Sequence, residues 1–221
     1  MFAKIYAAYE KEVAGIAFAC REGCASCCTQ SVNMTTAEGR GILAYLSETG
    51  RELPSLPGKE RRTCPTLTTN GLAACYLEGR EAGPEPESPW IYEPCVFLQG
   101  ERCTIYPARP FGCRSFGSTR SCAELGIAEA PEWFITLNSV VNQLIEHLDL
   151  DGFWGNIYNV LGFLNGSEKD YIQSGGDGRA AGLLPNLSVP GFLVPHEEQE
   201  MINRFLEGLV RADVISGELL T

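Results

Sequence analysis

The sequence predicts a mainly α protein: an irregular, cysteine-rich core of knuckles and turns, packed with helices from both ends of the chain. Three observations predict it. Apolar residues recur at helical spacing near the N-terminus and again through the C-terminal part. All ten cysteines fall between positions 20 and 122. From 95 to 122, short apolar runs alternate with Gly and Pro and keep no single period. Residues 1–125 are therefore expected to form a cysteine-cluster metal-binding region. Residues 126–221 are expected to form a helical region of the same domain.

Taken in order, Phe2, Ile5, Tyr6, Tyr9, Val13, Ile16 and Ala17 predict an amphipathic helix over 2–19 that runs into Cys20. Thr35 or Thr36 can cap a second helix carrying Ile42, Leu43 and Leu46, which stops at Gly50. Residues 51–63 are polar with two prolines and read as a loop. A short helix is expected in NGLAACYLEGR, followed by a break at GPEPESP. Pro131 suits a first helical turn, and Trp133, Leu137, Val140, Val141, Leu144, Ile145 and Leu148 form one stripe. Phe153, Trp154, Ile157, Leu161 and Leu164 predict a further helix, then a Gly-rich loop at Gly175, Gly176 and Gly178. The last helix starts near Pro195 and carries Ile202, Phe205, Leu206, Leu209 and Val210.

A chain of 221 residues that is 44% hydrophobic can bury a core without cross-links. Its net charge of −11 argues against nucleic acid and against an anionic membrane surface, since both need a basic face. No run of roughly 18 apolar residues offers a membrane span. An even number of cysteines would suit a secreted disulfide framework. However, Glu10, Lys11 and Glu12 interrupt the apolar N-terminal run that a signal peptide needs. The expected compartment is cytoplasmic, where thiols stay reduced and clustered cysteines point to metal.

The spacing decides what such thiols can hold. Cys20, Cys24 and Cys27 stand four and three residues apart, so they can face one centre from a helical or turn-like segment. Cys28, adjacent to Cys27, is expected to serve a different metal atom, or none, unless the backbone turns sharply there. Cys95 and Cys103 flank a possible Gln99-Gly100 hairpin turn. Cys113 follows Arg109-Pro110, and Cys122 closes the set.

The opening C-x-x-x-C-x-x-C-C, with the later P-C-x-F-L…C-x-I-Y-x-x-R-P-x-x-C-R-x-F, resembles the YkgJ-like cysteine-cluster family, described as a zinc- or iron-chelating domain. The matching residues run from Cys20 through Pro94, Phe97, Ile105 and Tyr106 to Phe116. The resemblance implies bound metal and covers about residues 20–122. It says nothing of the helical tail.

Between Cys95 and Cys122, Arg102, Arg109, Arg114 and Arg120 stand against Glu101 alone. Arginines near a site offset thiolate charge, so Arg109 and Arg114 are the candidate cofactor-contacting residues. An all-sulfur ligand set suits zinc and iron–sulfur clusters equally. The Cys27-Cys28 neighbours favour a polynuclear or two-metal site, and so an iron–sulfur cluster over zinc. The first three cysteines share their spacing with radical SAM enzymes, but a helix, not a barrel strand, precedes them.

The two histidines, His147 and His196, are expected at surface or capping positions, away from the metal. Cys64 and Cys75 are expected to be buried apolar thiols.

Three functions follow: a cluster protein with a structural or electron- or metal-transfer role, a metalloenzyme with an open iron, or a thiol-redox or metal-stress sensor. For the enzyme reading, only Glu93, Tyr106 and Arg114 lie near, and each has a structural explanation.

Overall fold

The computed structural model describes residues 1–29, 32–84, 92–166, 178 and 181–220. Helix α1 spans Phe2–Val13 and buries Ile5 and Tyr9. The helix predicted to Ala19 stops six residues early. Beyond Gly15, the Ala19 N–H pairs with the Ser118 carbonyl at 2.8 Å, so this segment reaches the cysteines as non-helical chain. Strand β1 (Asn33–Thr35) leads into α2 (Thr36–Glu48), capped as expected by Thr35, with Glu38 completing a capping box. A short helix, α3 (Thr69–Leu77), lies where the sequence predicted one. The predicted break at GPEPESP lies mostly outside the described residues.

The irregular part follows. A two-stranded hairpin pairs β2 (Leu98–Gln99) with β3 (Arg102–Cys103), setting Leu98 opposite Cys103. Gly100, at φ 61°, supplies the left-handed turn. Helices α4 (Phe111–Arg114) and α5 (Cys122–Leu125) are single turns. Helix α6 (Glu132–His147) has Pro131 at its N-cap and buries Leu137, Val140, Val141, Leu144 and Ile145 of the predicted stripe, while Trp133 and Leu148 are half-buried.

The next helix is shorter than its apolar pattern suggested. Phe153–Asn156 is strand β4, and only Ile157–Asn165 is helical, as α7. The signal for this boundary was Asn156, whose side chain accepts the Tyr158 N–H at 3.0 Å as an N-cap. β4 pairs antiparallel with both β1 and β5 (Leu184–Pro185), giving the order β1-β4-β5. Of the predicted Gly-rich loop, only Gly178 lies within the described residues. Helix α8 (Gln199–Arg211) follows a short 3₁₀ turn at His196–Glu198. Among the described residues, no helix is long and apolar enough to cross a membrane.

Two apolar clusters hold these elements, and each mixes early and late segments. One joins Ile5, Tyr9 and Phe111 to the α6 stripe and to Ile202, Phe205, Leu206 and Leu209 of α8. The other joins Met34, Ile42, Phe97 and Ile105 to Ile157, Tyr158, Val160 and Leu161 of α7. The helical tail therefore supplies the surface on which the cysteine-bearing turns rest.

Between the clusters sits the carboxylate of Glu38, in a side chain only 6% exposed. It accepts from the Tyr6 hydroxyl (2.9 Å), the Phe111 N–H (2.7 Å) and the Thr35 N–H (2.9 Å). One side chain thus ties α1, the start of α2 and the start of α4 together. Its burial pushes its carboxyl above the usual range, and the hydrogen bonds act in the opposite direction.

Candidate metal centre

The first cysteine segment is built from tight turns. The Cys24 N–H donates to Arg21, and the Cys28 N–H donates to Ala25. A three-residue turn then closes, with the Thr29 N–H on the Cys27 carbonyl at 2.9 Å. This is the sharp turn at which neighbouring side chains need not diverge. The Cys27 and Cys28 thiols shift each other's titration in opposite directions, so the two sulfurs lie near one another.

The second segment docks on the first through main chain. Thr29 and Pro94 form an antiparallel bridge, and the Cys95 N–H donates to the Cys28 carbonyl at 2.9 Å. Cys103 is brought round by the hairpin. Cys113 rides on α4, which lies so close to β1 that a Cβ on Gly112 would meet a Val32 methyl at 2.8 Å and the Asn33 carbonyl at 3.0 Å. Cys20 is fixed from the other side, its sulfur accepting the Ser118 N–H at 3.3 Å.

The result is one cavity of about 260 Å³, lined by Cys20, Cys24, Cys27, Cys28, Cys95, Cys103 and Cys113. Cys122 lies outside this lining but near Cys20, whose thiol its charge helps to raise. All ten thiols are free, and Cys24 and Cys27 are exposed. Cys64 and Cys75 take no part in the lining. Cys75 is buried as expected. Cys64 is exposed: it sits in the loop before α3, where its sulfur accepts from the Asn159 amide at 3.6 Å.

The thiols are electrostatically unequal. The neighbouring Cys28 thiol lowers the Cys27 thiol to about 6; burial opposes this and the Arg109 charge assists it. The Cys27 sulfur and burial push Cys28 up in turn. Burial pushes up Cys113 and Cys103, with the neighbouring thiols adding to it.

The two candidate arginines differ in what they touch. Arg114 is used by the protein: it donates to the Arg109 and Pro107 carbonyls, pairs with Glu10 at 2.8 Å and lies 4.5 Å over the Tyr6 ring. Arg109 lies 3.8 Å over Tyr106, and its buried Nε has no hydrogen-bond partner among the described residues. Both line the cavity, as does Arg21, which the sequence reading passed over. Arg102 is exposed and Arg120 pairs with Glu129, and neither lines it. Glu93 is engaged by Arg61. His147 accepts the Val189 N–H at 3.4 Å, and His196 lies exposed at the turn before α8.

A further contact comes from the tail. The Tyr158 hydroxyl accepts the Val96 N–H at 3.0 Å, which sets it beside Cys95, whose charge helps to raise it. Nothing in the apolar spacing of α7 singled this tyrosine out.

Among the described residues, no three His, Cys, Asp or Glu side chains are grouped closely enough to hold a metal ion as they stand. The thiols ring the cavity. A metal fits by donor chemistry: soft sulfur ligands, an apolar wall including Val13, Phe18, Val32, Leu98 and Ile105, and a cation whose buried Nε lacks an acceptor.

No curated protein and no solved structure matches the chain. A family model does, over residues 19–133, which takes in every cysteine. The chain belongs to the CxxCxxCC family, described as a "Putative zinc- or iron-chelating domain".

Proposed function

We propose that Cys20, Cys24, Cys27, Cys28, Cys95, Cys103, Cys113 and Cys122 hold metal as thiolates, as an iron–sulfur cluster rather than zinc, in a protein that transfers electrons or metal. The observation that carries this reading is the convergence of seven of these thiols, from both cysteine segments, on one cavity. Zinc binds four sulfurs at about 2.3 Å and needs little more than its own volume among them. A ring of seven thiols around about 260 Å³ suits a polynuclear group better. When bound, such a group supplies a site that gains and loses single electrons.

The chain's own residues do the rest. Arg109 offsets thiolate charge and offers its Nε–H, while Arg114 braces the turn that carries Arg109. Exposed Cys24 and Cys27 leave one side of the site open to a partner. Thiolates of this kind persist in a reducing, cytoplasmic compartment.

The test is metal content after substitution. Cys24→Ser, Cys27→Ser, Cys95→Ser and Cys113→Ser each lower bound metal and destabilise the fold, because ligation and folding are coupled. Cys64→Ser and Cys75→Ser leave metal content unchanged. Full metal content in all four ligand variants would sink the assignment.

A second reading, a thiol-redox sensor, is favoured by the Cys27–Cys28 contact, which sets a depressed thiol beside a partner sulfur. It requires the pair to oxidise reversibly under mild peroxide with loss of metal. Metal retention under that treatment excludes it.

A further inference from the structure

We propose that Glu38 is a positioning residue of the metal centre, a buried carboxylate on α2 that holds the turn bearing Arg109 and Cys113 in place. The inference rests on the thiolate reading above and gives Glu38 a part in keeping the metal.

Glu38 does not line the cysteine cavity, and neither does its hydroxyl donor Tyr6. As the acidic member of a capping box it needs only Thr35. Glutamate is rarely buried to 6% exposure, and a cap alone does not require it. The difference lies in two donors from outside α2. Oε1 accepts the Tyr6 hydroxyl at 2.9 Å and the Phe111 N–H at 2.7 Å, while Oε2 serves Thr35. One oxygen is used by its own helix and the other by the site.

Two short routes lead from Oε1 to the cavity. Phe111 opens α4 after Pro110, whose side chain has no group to cap a helix, so Glu38 caps it from another element. Cys113 lies two residues on, with its N–H on the Pro110 carbonyl at 3.0 Å. The second route runs through Tyr6. Its ring stacks on Phe111 with centroids 6.2 Å apart, and the Arg114 guanidinium lies 4.5 Å from it. Arg114 in turn donates to the Arg109 and Pro107 carbonyls at 3.0 and 2.7 Å. Arg109, Cys113 and Arg114 all line the cavity. Without Oε1 the buried Phe111 N–H is left unpaired, and the turn that carries them relaxes.

The test follows release of bound metal to excess chelator from the full chain, purified anaerobically, alongside urea midpoints. Glu38→Gln keeps an oxygen for Tyr6 and Phe111 and loses the acceptor at Thr35. A lower midpoint with wild-type release is expected. Thr35→Val, which weakens the α2 cap alone, is expected to behave the same way. Glu38→Ala loses both sides and is expected to release metal about tenfold faster, as when a support behind a ligand is removed. If Glu38→Ala does not fold, Tyr6→Phe replaces it, with release expected to be about threefold faster. Wild-type release in that variant overturns the proposal. So does release from Glu38→Gln or Thr35→Val as fast as from it, which would mark a purely structural role. A wild-type chain that binds no metal overturns the thiolate reading itself, and this inference with it.

Discussion

The main-chain carbonyl of Cys28 accepts the N–H of Cys95 at 2.9 Å. This bond, beside the Thr29–Pro94 bridge, joins the two cysteine segments through backbone alone. The long intervening chain is closed by folding, at an entropic cost that grows only slowly with its length. A centre drawing thiolates from both segments follows naturally, so neither segment should hold metal well alone. Peptides 1–50 and 90–125, expressed separately, are expected to bind metal much more weakly than the intact chain. Equal affinity in each peptide would mean two local sites.

Tyr158 reaches the site from the tail, its hydroxyl accepting the Val96 N–H beside Cys95. Its side chain is fully buried, so Tyr158→Phe leaves the Val96 N–H without its acceptor. A loss of about 1–3 kcal/mol in unfolding free energy is expected. Faster release of metal to a chelator is expected with it. Unchanged stability and release would show that α7 only packs there.

Glu146 gives a pH signature away from the cysteines. It is fully buried on α6 and accepts the Asn70 N–H at 2.7 Å and the Leu187 N–H at 2.8 Å. Burial still holds its carboxyl above the usual range, against the effect of its hydrogen bonds. A raised folded-state value means that the folded chain binds this proton more readily than the unfolded chain. The contribution is fully present below the unfolded value of about 4.3 and is lost as pH rises through the folded one. Wild type should therefore lose stability relative to Glu146→Gln as pH rises from about 4 towards neutrality. Urea midpoints of both proteins across that range check it, and a gap moving the other way contradicts it.

What could be read from the sequence was local. Thr35 with Glu38 marks the start of α2, Pro131 marks α6, and Gln99-Gly100 marks the hairpin, because each signal lies within a few residues of its effect. The cysteine offsets carried the family for the same reason. What was missed is long-range. The short strands β1 and β5 cannot show alternation, and β4 ran on into the apolar spacing of α7. The N-terminal helix was drawn too long because Ile16 and Ala17 fit its period, while the bond that pulls Ala19 away comes from Ser118. Glu38 and Tyr158 act on the site through partners far along the chain. Neither has a pattern of its own.

The central claim is that the thiolate ring holds an iron–sulfur cluster. Purification under strict anaerobiosis, followed by the visible spectrum and by iron, zinc and acid-labile sulfide content, tests it most directly. A cluster-loaded chain is brown, with broad visible absorption, and carries iron and acid-labile sulfide together. A colourless protein with stoichiometric zinc and no sulfide would contradict it.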